Sequence, residues 1–370
     1  MFYGEIEMKK DKIKFGVVGL NRGLVAKCLI WRDDAMLCAI CDKREDRLEA
    51  GKKKIAEEMK KRGKKYAVAA YSDFDEMLKD DIDAVYIASD ADYHVPLVIK
   101  AMEAGKHVIS EVPAIDSIEE ARELRSCVES HPELKYMLAE NCCYWAFLET
   151  WRQMYREGML GRAVYAEGTY FHGMDWRKQN ESAIDKTHWR YKYQSIKYLT
   201  HSLGPLLDII GDRCVSVSCM IPDVECSPYN EIRKNAVALF RTEGGAVIRI
   251  LIAFDAYCGY GHRYMIVGTE GSIENDNTKP LEEAMSYASI REVDGSLYRK
   301  LEIPVSIMNE GEEETRGRGE IKMLGDFVEC IRFDRPSPIG IDRAIEMSLP
   351  GIMALESSKQ GGELVEIPKI

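Results

Sequence analysis

The chain has 370 residues, more than the ~100–200 residues usual for one domain, so two domains are expected. Its net charge of −11 argues against binding to bare nucleic acid or to an anionic membrane surface. Eleven scattered cysteines without paired CxxC motifs are typical of reduced thiols, and residues 1–14 lack an apolar signal core. Together these features favour a cytoplasmic protein.

The first 130 residues alternate short apolar runs with helical patterns. The predicted strands are Ile13–Gly19, Met36–Cys41, Asp83–Ala88 and His107–Ser110. The predicted helices are Leu24–Arg32, Glu45–Lys61, His94–Glu103 and Ser117–Val128. Repeated β-α-β units of this length indicate a doubly wound parallel sheet. We therefore assign residues 1–138 to a first, α/β domain.

After Tyr136–Ala139 the pattern changes to closely spaced strands without intervening helices. These strands are predicted at Ala163–Tyr170, Val215–Met220, Ala236–Phe240, Val247–Phe254 and Arg263–Val267. Two helices follow, at about Glu320–Arg332 and Asp342–Lys359. Residues 139–370 are thus predicted to form an α+β domain with a large, mostly antiparallel, open sheet. Its final helices could pack back on the first domain.

The loop after the first strand has the features of a dinucleotide-binding turn. Gly19 and Gly23 stand where the backbone of such a turn approaches a pyrophosphate, and a helix begins directly after them. Asn21 takes the place of a further glycine, and asparagine tolerates left-handed backbone better than most residues. The pattern predicts a Rossmann-type site for a dinucleotide.

The acidic residue at the end of the second strand indicates which dinucleotide is bound. Asp42 lies about 20 residues after the loop, where a carboxylate would accept a hydrogen bond from the ribose 2′-hydroxyl of NAD. Lys43 and Arg44 follow it and could instead hold a 2′-phosphate. We expect NAD, with NADP as the alternative.

Residues 104–113 carry a family resemblance and one departure from it. Their sequence, AGKHVISEVP, resembles the AGKHVxxEKP segment of the Gfo/Idh/MocA oxidoreductases. The lysine of that segment sits beside the nicotinamide and helps to deprotonate the sugar hydroxyl that is oxidised. Here its position is Val112, which can neither donate nor accept a proton. Either another residue handles the proton, or the chain does not perform ordinary dehydrogenation.

Three further runs resemble one branch of that family, the NAD-dependent retaining glycosidases typified by the α-N-acetylgalactosaminidases. They are Met137–Tyr144 (MLAENCCY), Gly161–Tyr170 (a strand pattern that ends in AEGTY) and Tyr198–Pro205 (YLTHSLGP). Members of this branch also carry E-V-P instead of E-K-P. The D-x-x-x-H pattern of the ordinary dehydrogenases is absent, since Lys197 stands four residues before His201. The resemblance covers roughly Ile13 to Met220.

The resemblance implies a reaction without net oxidation. NAD+ would take a hydride from C3 of a sugar, which acidifies the C2 hydrogen so that a modest base can remove it and expel the group at C1. Tyr198 and His201 would relay the C3 proton, and Tyr170 would be the C2 base. Glu140 would hold the sugar or the cofactor and could assist departure of the leaving group.

The remaining site residues are assigned with alternatives. The cofactor residues are expected to be Gly19, Asn21, Arg22, Gly23, Asp42, Ser89, His94, Glu111, Pro113 and Asn141. Sugar contacts are expected from a polar, aromatic stretch, chiefly His172, Trp189 and Arg190, with Asp175, Trp176 and His188 nearby. His94 could equally be structural, Glu140 and Asn141 could brace the domain junction, and His201 could bond the turn after it. Scattered histidines and aspartates permit a metal, but none is expected.

Three functions remain open at the level of sequence. A redox-neutral glycosidase leads, a sugar or cyclitol dehydrogenase is second, and a nucleotide-responsive regulator is third. The stretch between Tyr170 and Tyr198 is shorter than in the acetylgalactosaminidases, so their N-acetyl specificity is not carried over. The resemblance also implies a homodimer or homotetramer built on the open sheet face.

Overall fold

The computed structural model describes residues 12–172, 189–224, 235–254, 260–276, 285–292, 298–303 and 318–370. The chain divides into two compact units. Unit 1 contains Met1–Ala139 and Gly317–Ile345, and unit 2 contains Glu140–Arg316 and Glu346–Ile370. Among the helices of the described ranges, none has the length and apolar character needed to cross a membrane.

Unit 1 is built on a six-stranded parallel sheet. Its strands are β1 (Ile13–Val18), β2 (Ala35–Cys41), β3 (Ala69–Tyr71), β4 (Ala84–Ile87), β5 (His107–Ser110) and β6 (Tyr136–Leu138). The spatial order is β3-β2-β1-β4-β5-β6, and every pair is parallel. All four residues of β4 are buried, as expected for a central strand covered on both faces. This order confirms the predicted doubly wound sheet.

The helices of unit 1 begin and end close to the predicted residues, with two exceptions. The α-helices are Glu45–Lys61, Phe74–Leu78, His94–Glu103, Ile118–Ser130 and Arg318–Arg332, and a further helix, Ile341–Lys359, begins in unit 1 and ends in unit 2. The segment predicted as a helix at Leu24–Arg32 is a 3₁₀ helix at Gly23–Trp31. Strand β3 and the five-residue helix after it were not predicted, because such short elements carry too few residues to show a periodicity.

In the described residues of unit 2, nine strands form one sheet. Its strands are β7 (Ala163–His172), β8 (Cys214–Met220), β9 (Asn235–Thr242), β10 (Val247–Ala253), β11 (Tyr260–Gly268), β12 (Gly271–Asn275), β13 (Ser286–Arg291), β14 (Tyr298–Ile303) and β15 (Val365–Glu366). The order is β14-β13-β12-β11-β7-β10-β9-β8-β15, antiparallel except for the parallel pair β7–β10. The mostly antiparallel sheet is confirmed, with four strands (β12–β15) beyond the five predicted.

One helix of unit 2 lies close against the central strand β7. The helix Thr200–Ile210 approaches the strand at Gly168, where an added Cβ would lie 2.6 Å from the backbone oxygen of Ser202. A side chain at position 168 would therefore push the helix away. This close approach brings the start of the helix, which carries His201, beside the end of β7, which carries Tyr170.

Candidate active site

The candidate phosphate loop of unit 1 has glycine at two positions where a side chain would collide with neighbouring protein atoms. Gly19 has φ +86°, and a Cβ there would lie 2.3 Å from the carbonyl oxygen of Ala88. A Cβ on Gly23 would lie 2.7 Å from Cγ1 of Val17, so this glycine allows the 3₁₀ helix to pack on β1. Asn21 does not take the left-handed conformation anticipated for it; Gly19 does. The loop therefore fits a pyrophosphate through its backbone.

The two constraints on Gly19 can be separated experimentally. We expect Gly19→Ala to lower the free energy of unfolding by at least ~2 kcal/mol more than Gly63→Ala. Gly63 also has positive φ (+65°), but an added Cβ there meets nothing within 4 Å. Gly63→Ala thus measures the cost of left-handed backbone alone, and urea unfolding gives both values. Equal losses would contradict the close approach.

Asp42 holds the loop from the end of β2. It is buried, and its Oδ2 accepts from the backbone N–H of Leu20 (2.8 Å) while Oδ1 accepts from the backbone N–H of Arg44 (2.9 Å). Each carboxylate oxygen has a second lone pair, so a ribose hydroxyl can still be accepted. The neighbouring cations have other partners: Lys43 lies over the ring of Tyr93, and the Arg44 guanidinium pairs with Asp46.

Arg22 and Glu111 belong to an ionic network in unit 1. Nε of Arg22 donates to Oε1 of Glu111 and its Nη2 donates to Oε1 of Glu320, both at 2.8 Å. The hydroxyl of Tyr86 also donates to Glu111. Burial alone would lower the pKa of Arg22, but the carboxylates and Tyr86 outweigh it and raise that pKa above its usual value. Two carboxylates therefore neutralise this guanidinium and brace the loop.

His94 uses both ring nitrogens on backbone oxygens. Nδ1 lies 2.9 Å from the carbonyl oxygen of Pro113, and Nε2 lies 3.1 Å from that of Ser89. The ring is buried, and the Val112–Pro113 peptide bond beside it is cis. Of the two interpretations of His94, this geometry favours the structural one, in which the ring fixes the loops that carry Ser89 and Pro113.

A carboxylate–histidine pair lies in unit 2. Glu140 is completely buried, and its Oε1 lies 2.7 Å from Nδ1 of His201 and 3.1 Å from the backbone N–H of Cys142. A carboxylate can only accept here, so Nδ1 carries the proton and Nε2 is left as the acceptor. Oε2 of Glu140 is also buried and has no hydrogen-bond partner in the described ranges. Glu140 therefore fixes the orientation of His201 and keeps one oxygen for a ligand.

Tyr198 and Arg190 stand beside this histidine. The rings of Tyr198 and His201 have centroids 5.1 Å apart. Nη2 of Arg190 donates to the hydroxyl of Tyr198 (3.3 Å), and the guanidinium lies over the rings of Tyr198 (4.9 Å) and Trp189 (4.7 Å). Arg190 therefore contacts both the hydroxyl and the ring face of Tyr198.

Tyr170 completes the cluster from β7. Its ring centroid lies 5.6 Å from that of His201 and 4.0 Å from that of His262, and the side chain is buried. Burial raises the pKa of Tyr170 well above its usual value, and Tyr260 and Tyr198 act in the same direction. Tyr170 is therefore a neutral phenol at pH 7, and only a small phenolate fraction can act as the expected base.

His172 lies two residues further along β7. Burial lowers the pKa of His172 to about 4, and the charges of Arg190 and His201 contribute to this shift. Its Nδ1 is buried and has no hydrogen-bond partner among the described residues. The imidazole is thus neutral at pH 7 and can exchange hydrogen bonds with sugar hydroxyls.

The lowered pKa of His172 predicts a stability that depends on pH. In the unfolded chain His172 binds a proton near pH 6.5, whereas in the folded chain its pKa is about 4. The contribution of His172 to the free energy of unfolding is therefore fully present above pH 6.5 and is lost as pH falls towards 4. We expect His172→Phe to reduce this acid loss by about 1–3 kcal/mol. Urea unfolding at pH 7 and pH 4.5 measures it, with His131→Phe as the control; the same loss in both variants would contradict it.

Several site residues were missed by sequence reasoning, and others lie outside the described residues. Four aromatic side chains that surround Tyr170 and His201 come from β11 or from the residue after β10, and the sequence does not reveal the register of these strands. They are Tyr260, His262, Tyr264 and Phe254. Asn141 begins a 3₁₀ helix in unit 2, whereas the other expected cofactor residues lie in unit 1. Asp175, Trp176 and His188 lie outside the described ranges.

One group of side chains has atoms suited to a metal ion. Glu140, Cys142 and His201 offer ligand atoms within 4.8 Å of one another. The contact of 2.7 Å between Glu140 and His201 is a hydrogen-bond distance, shorter than the separation of two ligand atoms around zinc. The proton shared by this pair accounts for their arrangement.

The fold defines a class of protein in which a parallel, Rossmann-type sheet is followed by a large, mostly antiparallel sheet. Two family models match the chain. One, described as an oxidoreductase family with an NAD-binding Rossmann fold, matches residues 13–138, and the GFO/IDH/MocA C-terminal domain matches residues 148–274. The chain belongs to the Gfo/Idh/MocA oxidoreductase family.

Relatives with curated names agree with the expected branch. Glycosyl hydrolase family 109 protein 3 of Phocaeicola vulgatus is 29% identical over 71% of this chain, although the match spans only 53% of that relative. Glycosyl hydrolase family 109 protein 1 of Bacteroides thetaiotaomicron is 25% identical over 97% of this chain and 85% of its own length. A levoglucosan dehydrogenase solved with NADH and L-sorbose shares the fold (TM-score 0.78, 19% identity, 98% of this chain and 100% of that one).

Proposed function

We propose that this protein is an NAD-dependent, redox-neutral hydrolase of a small glycoside. One observation carries the proposal: Tyr170 and His201, two proton-transfer side chains, stand with ring centroids 5.6 Å apart. A dehydrogenase needs one base, for the hydroxyl being oxidised. Elimination needs a second base for the hydrogen on the adjacent carbon. The relatives named as glycosyl hydrolases of family 109 support the cleavage of a glycosidic bond.

The dinucleotide-binding residues of unit 1 support NAD as the cofactor. When bound, NAD+ would accept a hydride from C3 of the sugar and return it after the glycosidic bond has broken. Asp42 keeps lone pairs for a ribose hydroxyl, while Lys43 and Arg44 have partners of their own, which favours NAD over NADP. Gly19 and Gly23 permit the tight turn against Ala88 and Val17 that would present the loop backbone to a pyrophosphate.

The side chains of unit 2 would move the protons. Nε2 of His201, with Tyr198 beside it, takes the proton of the C3 hydroxyl, while Glu140 stabilises the imidazolium that forms. Tyr170 then removes the C2 proton, the C1–O bond breaks as a C1–C2 double bond forms, and the departing oxygen takes a proton from solvent water. Water adds at C1 and releases one proton to solvent, which balances the proton taken up by the departing oxygen, and Tyr170 returns a proton to C2. His201 finally returns its proton to the C3 oxygen.

The sugar contacts are proposed from the same cluster. Trp189 offers an aromatic face, Arg190 offers guanidinium donors, and the neutral His172 can donate or accept. These side chains suit a polyhydroxylated ring of modest size, so a small-molecule glycoside is the proposed substrate.

A direct experiment tests the reaction. The purified protein is incubated, without added cofactor, with p-nitrophenyl α- and β-glycosides of glucose, galactose and N-acetylgalactosamine in deuterated water. Release of nitrophenol with deuterium at C2 of the sugar supports the proposal. If the protein is shown to contain NAD and cleaves none of these glycosides, the result counts against the proposed function.

A sugar or cyclitol dehydrogenase is the second candidate. His201 alone, oriented by Glu140, would supply the one base that this reaction needs in place of the lysine replaced by Val112. Stoichiometric growth of NADH absorbance at 340 nm with free sugars or cyclitols, without cleavage of glycosides, would favour this function.

We also propose that the protein is cytoplasmic and assembles as a homodimer or homotetramer. Leu239 on β9 and Val247 on β10 are 48% and 37% exposed, which leaves apolar side chains on the open face of the sheet. Light scattering of the purified protein measures the assembly.

A further inference from the structure

His262 is the closest neighbour of Tyr170 among the described aromatic side chains. It lies on β11 directly opposite Tyr170 on β7, as paired residues of the antiparallel ladder. The two rings are stacked, with centroids 4.0 Å apart and planes 19° apart. His262 is buried, so this contact is shielded from water.

The position of His262 is fixed from several sides. Nδ2 of Asn275 donates to its backbone oxygen (3.1 Å), and Oδ1 of Asn275 accepts from the backbone N–H of Tyr264 (2.6 Å). The ring of Trp145 packs edge-on at 4.9 Å. Because these contacts fix His262, its ring can in turn fix the position of Tyr170.

A second contact connects His262 to His201 through Tyr264. Its Nδ1 lies 3.4 Å from the hydroxyl of Tyr264, and that hydroxyl donates to the backbone oxygen of His201. His262 therefore contacts Tyr170 through its ring face and reaches His201 through Tyr264. Burial lowers the pKa of His262 well below its usual value, and the charges of His201 and His172 act in the same direction.

We propose that His262 is a positioning residue, which holds the phenol of Tyr170 at a fixed distance from His201 by stacking and through Tyr264. The inference rests on the proposed function, because it assigns His262 to the step at C2. A flat, neutral imidazole serves both contacts: its face stacks on the phenol and its edge bonds Tyr264. An aliphatic side chain could do neither.

Two substitutions at position 262 separate the contacts. His262→Leu removes both, and we expect C2 deuterium exchange to fall ~100-fold with KM changed less than ~2-fold, as for a misplaced catalytic group. His262→Phe keeps the stacked ring, so exchange should fall less than ~10-fold. Tyr264→Phe removes the hydroxyl, and with it both the contact to Nδ1 of His262 and the bond to the backbone oxygen of His201, while the stack of His262 on Tyr170 remains. His131→Leu, outside this cluster, is the matched control.

A structural readout accompanies the kinetics. Stacking under an imidazole shifts the ring protons of Tyr170 upfield in the NMR spectrum, and Tyr170→Phe assigns that signal. The shift should be lost in His262→Leu and kept in His262→Phe. Circular dichroism and urea unfolding identify any variant that has lost its fold, and His262→Phe then carries the test.

The outcomes distinguish the inference from the function on which it rests. If the wild type neither cleaves glycosides nor exchanges C2 hydrogen, the proposed function fails. If the wild type does both and folded His262→Leu exchanges C2 hydrogen at the same rate, the positioning role of His262 is wrong. A loss of activity that appears only as a raised KM, with an unchanged exchange rate at saturating substrate, would also overturn it.

Discussion

Glu140→Gln is expected to lower kcat by ~10³-fold while the protein remains folded. The carboxylate accepts from Nδ1 of His201 and so leaves Nε2 as the acceptor. Glutamine has nearly the same shape, but its amide can present N–H to Nδ1 and stabilise the wrong tautomer. It also cannot stabilise the imidazolium that forms when His201 takes a proton. Steady-state kinetics with the best aryl glycoside measures the effect.

The control variants separate charge from structure. Glu157→Gln makes the same change at an exposed glutamate that bonds Gln153, and it should keep wild-type rates. Glu140→Asp retains the charge at a shorter reach and should recover part of the rate. A Glu140→Gln protein whose kcat lies within ~3-fold of the wild type would remove Glu140 from the proton relay.

The fold could be predicted in outline because its strongest patterns are local. Glu45–Lys61 and His94–Glu103 match the predicted helices residue for residue, since each has a long apolar stripe and ends near a glycine with positive φ, Gly63 or Gly105. β12–β15 were missed for the opposite reason. Their pairing partners, not their own composition, make them strands.

The site was predicted as far as the motifs reach. Tyr170 was selected from one run and Tyr198 and His201 from another, and the structure places the rings of the two tyrosines 5.6 and 5.1 Å from that of the histidine. The bond between Glu140 and His201 joins residues 61 positions apart, so no local pattern could reveal it. His262 depends on the register of β11 against β7, and a shift of one residue would turn its ring to the other face.

Arg22 shows what a motif does not reveal. Its place in the phosphate loop suggested a contact to the cofactor, yet its guanidinium pairs with Glu111 and Glu320, 89 and 298 residues away in sequence. Buried carboxylates from the end of β5 and from a late helix thus determine what this cation does. A sequence pattern can place the backbone of such a loop, but not the partners of its side chains.

Tyr170→Phe tests the C2 step most directly. The ring and its stack on His262 remain, but the hydroxyl is lost, so we expect C2 exchange and hydrolysis to fall ~10³-fold with little change in KM. Because burial raises the pKa of Tyr170 well above its usual value, the phenolate fraction grows about tenfold per pH unit, and wild-type exchange should rise with that slope from about pH 6 to 9. Tyr165→Phe, on the same strand, should keep both rate and slope. A wild-type rate that is flat over this range would mean that another group, already deprotonated at the acidic end, removes the C2 proton.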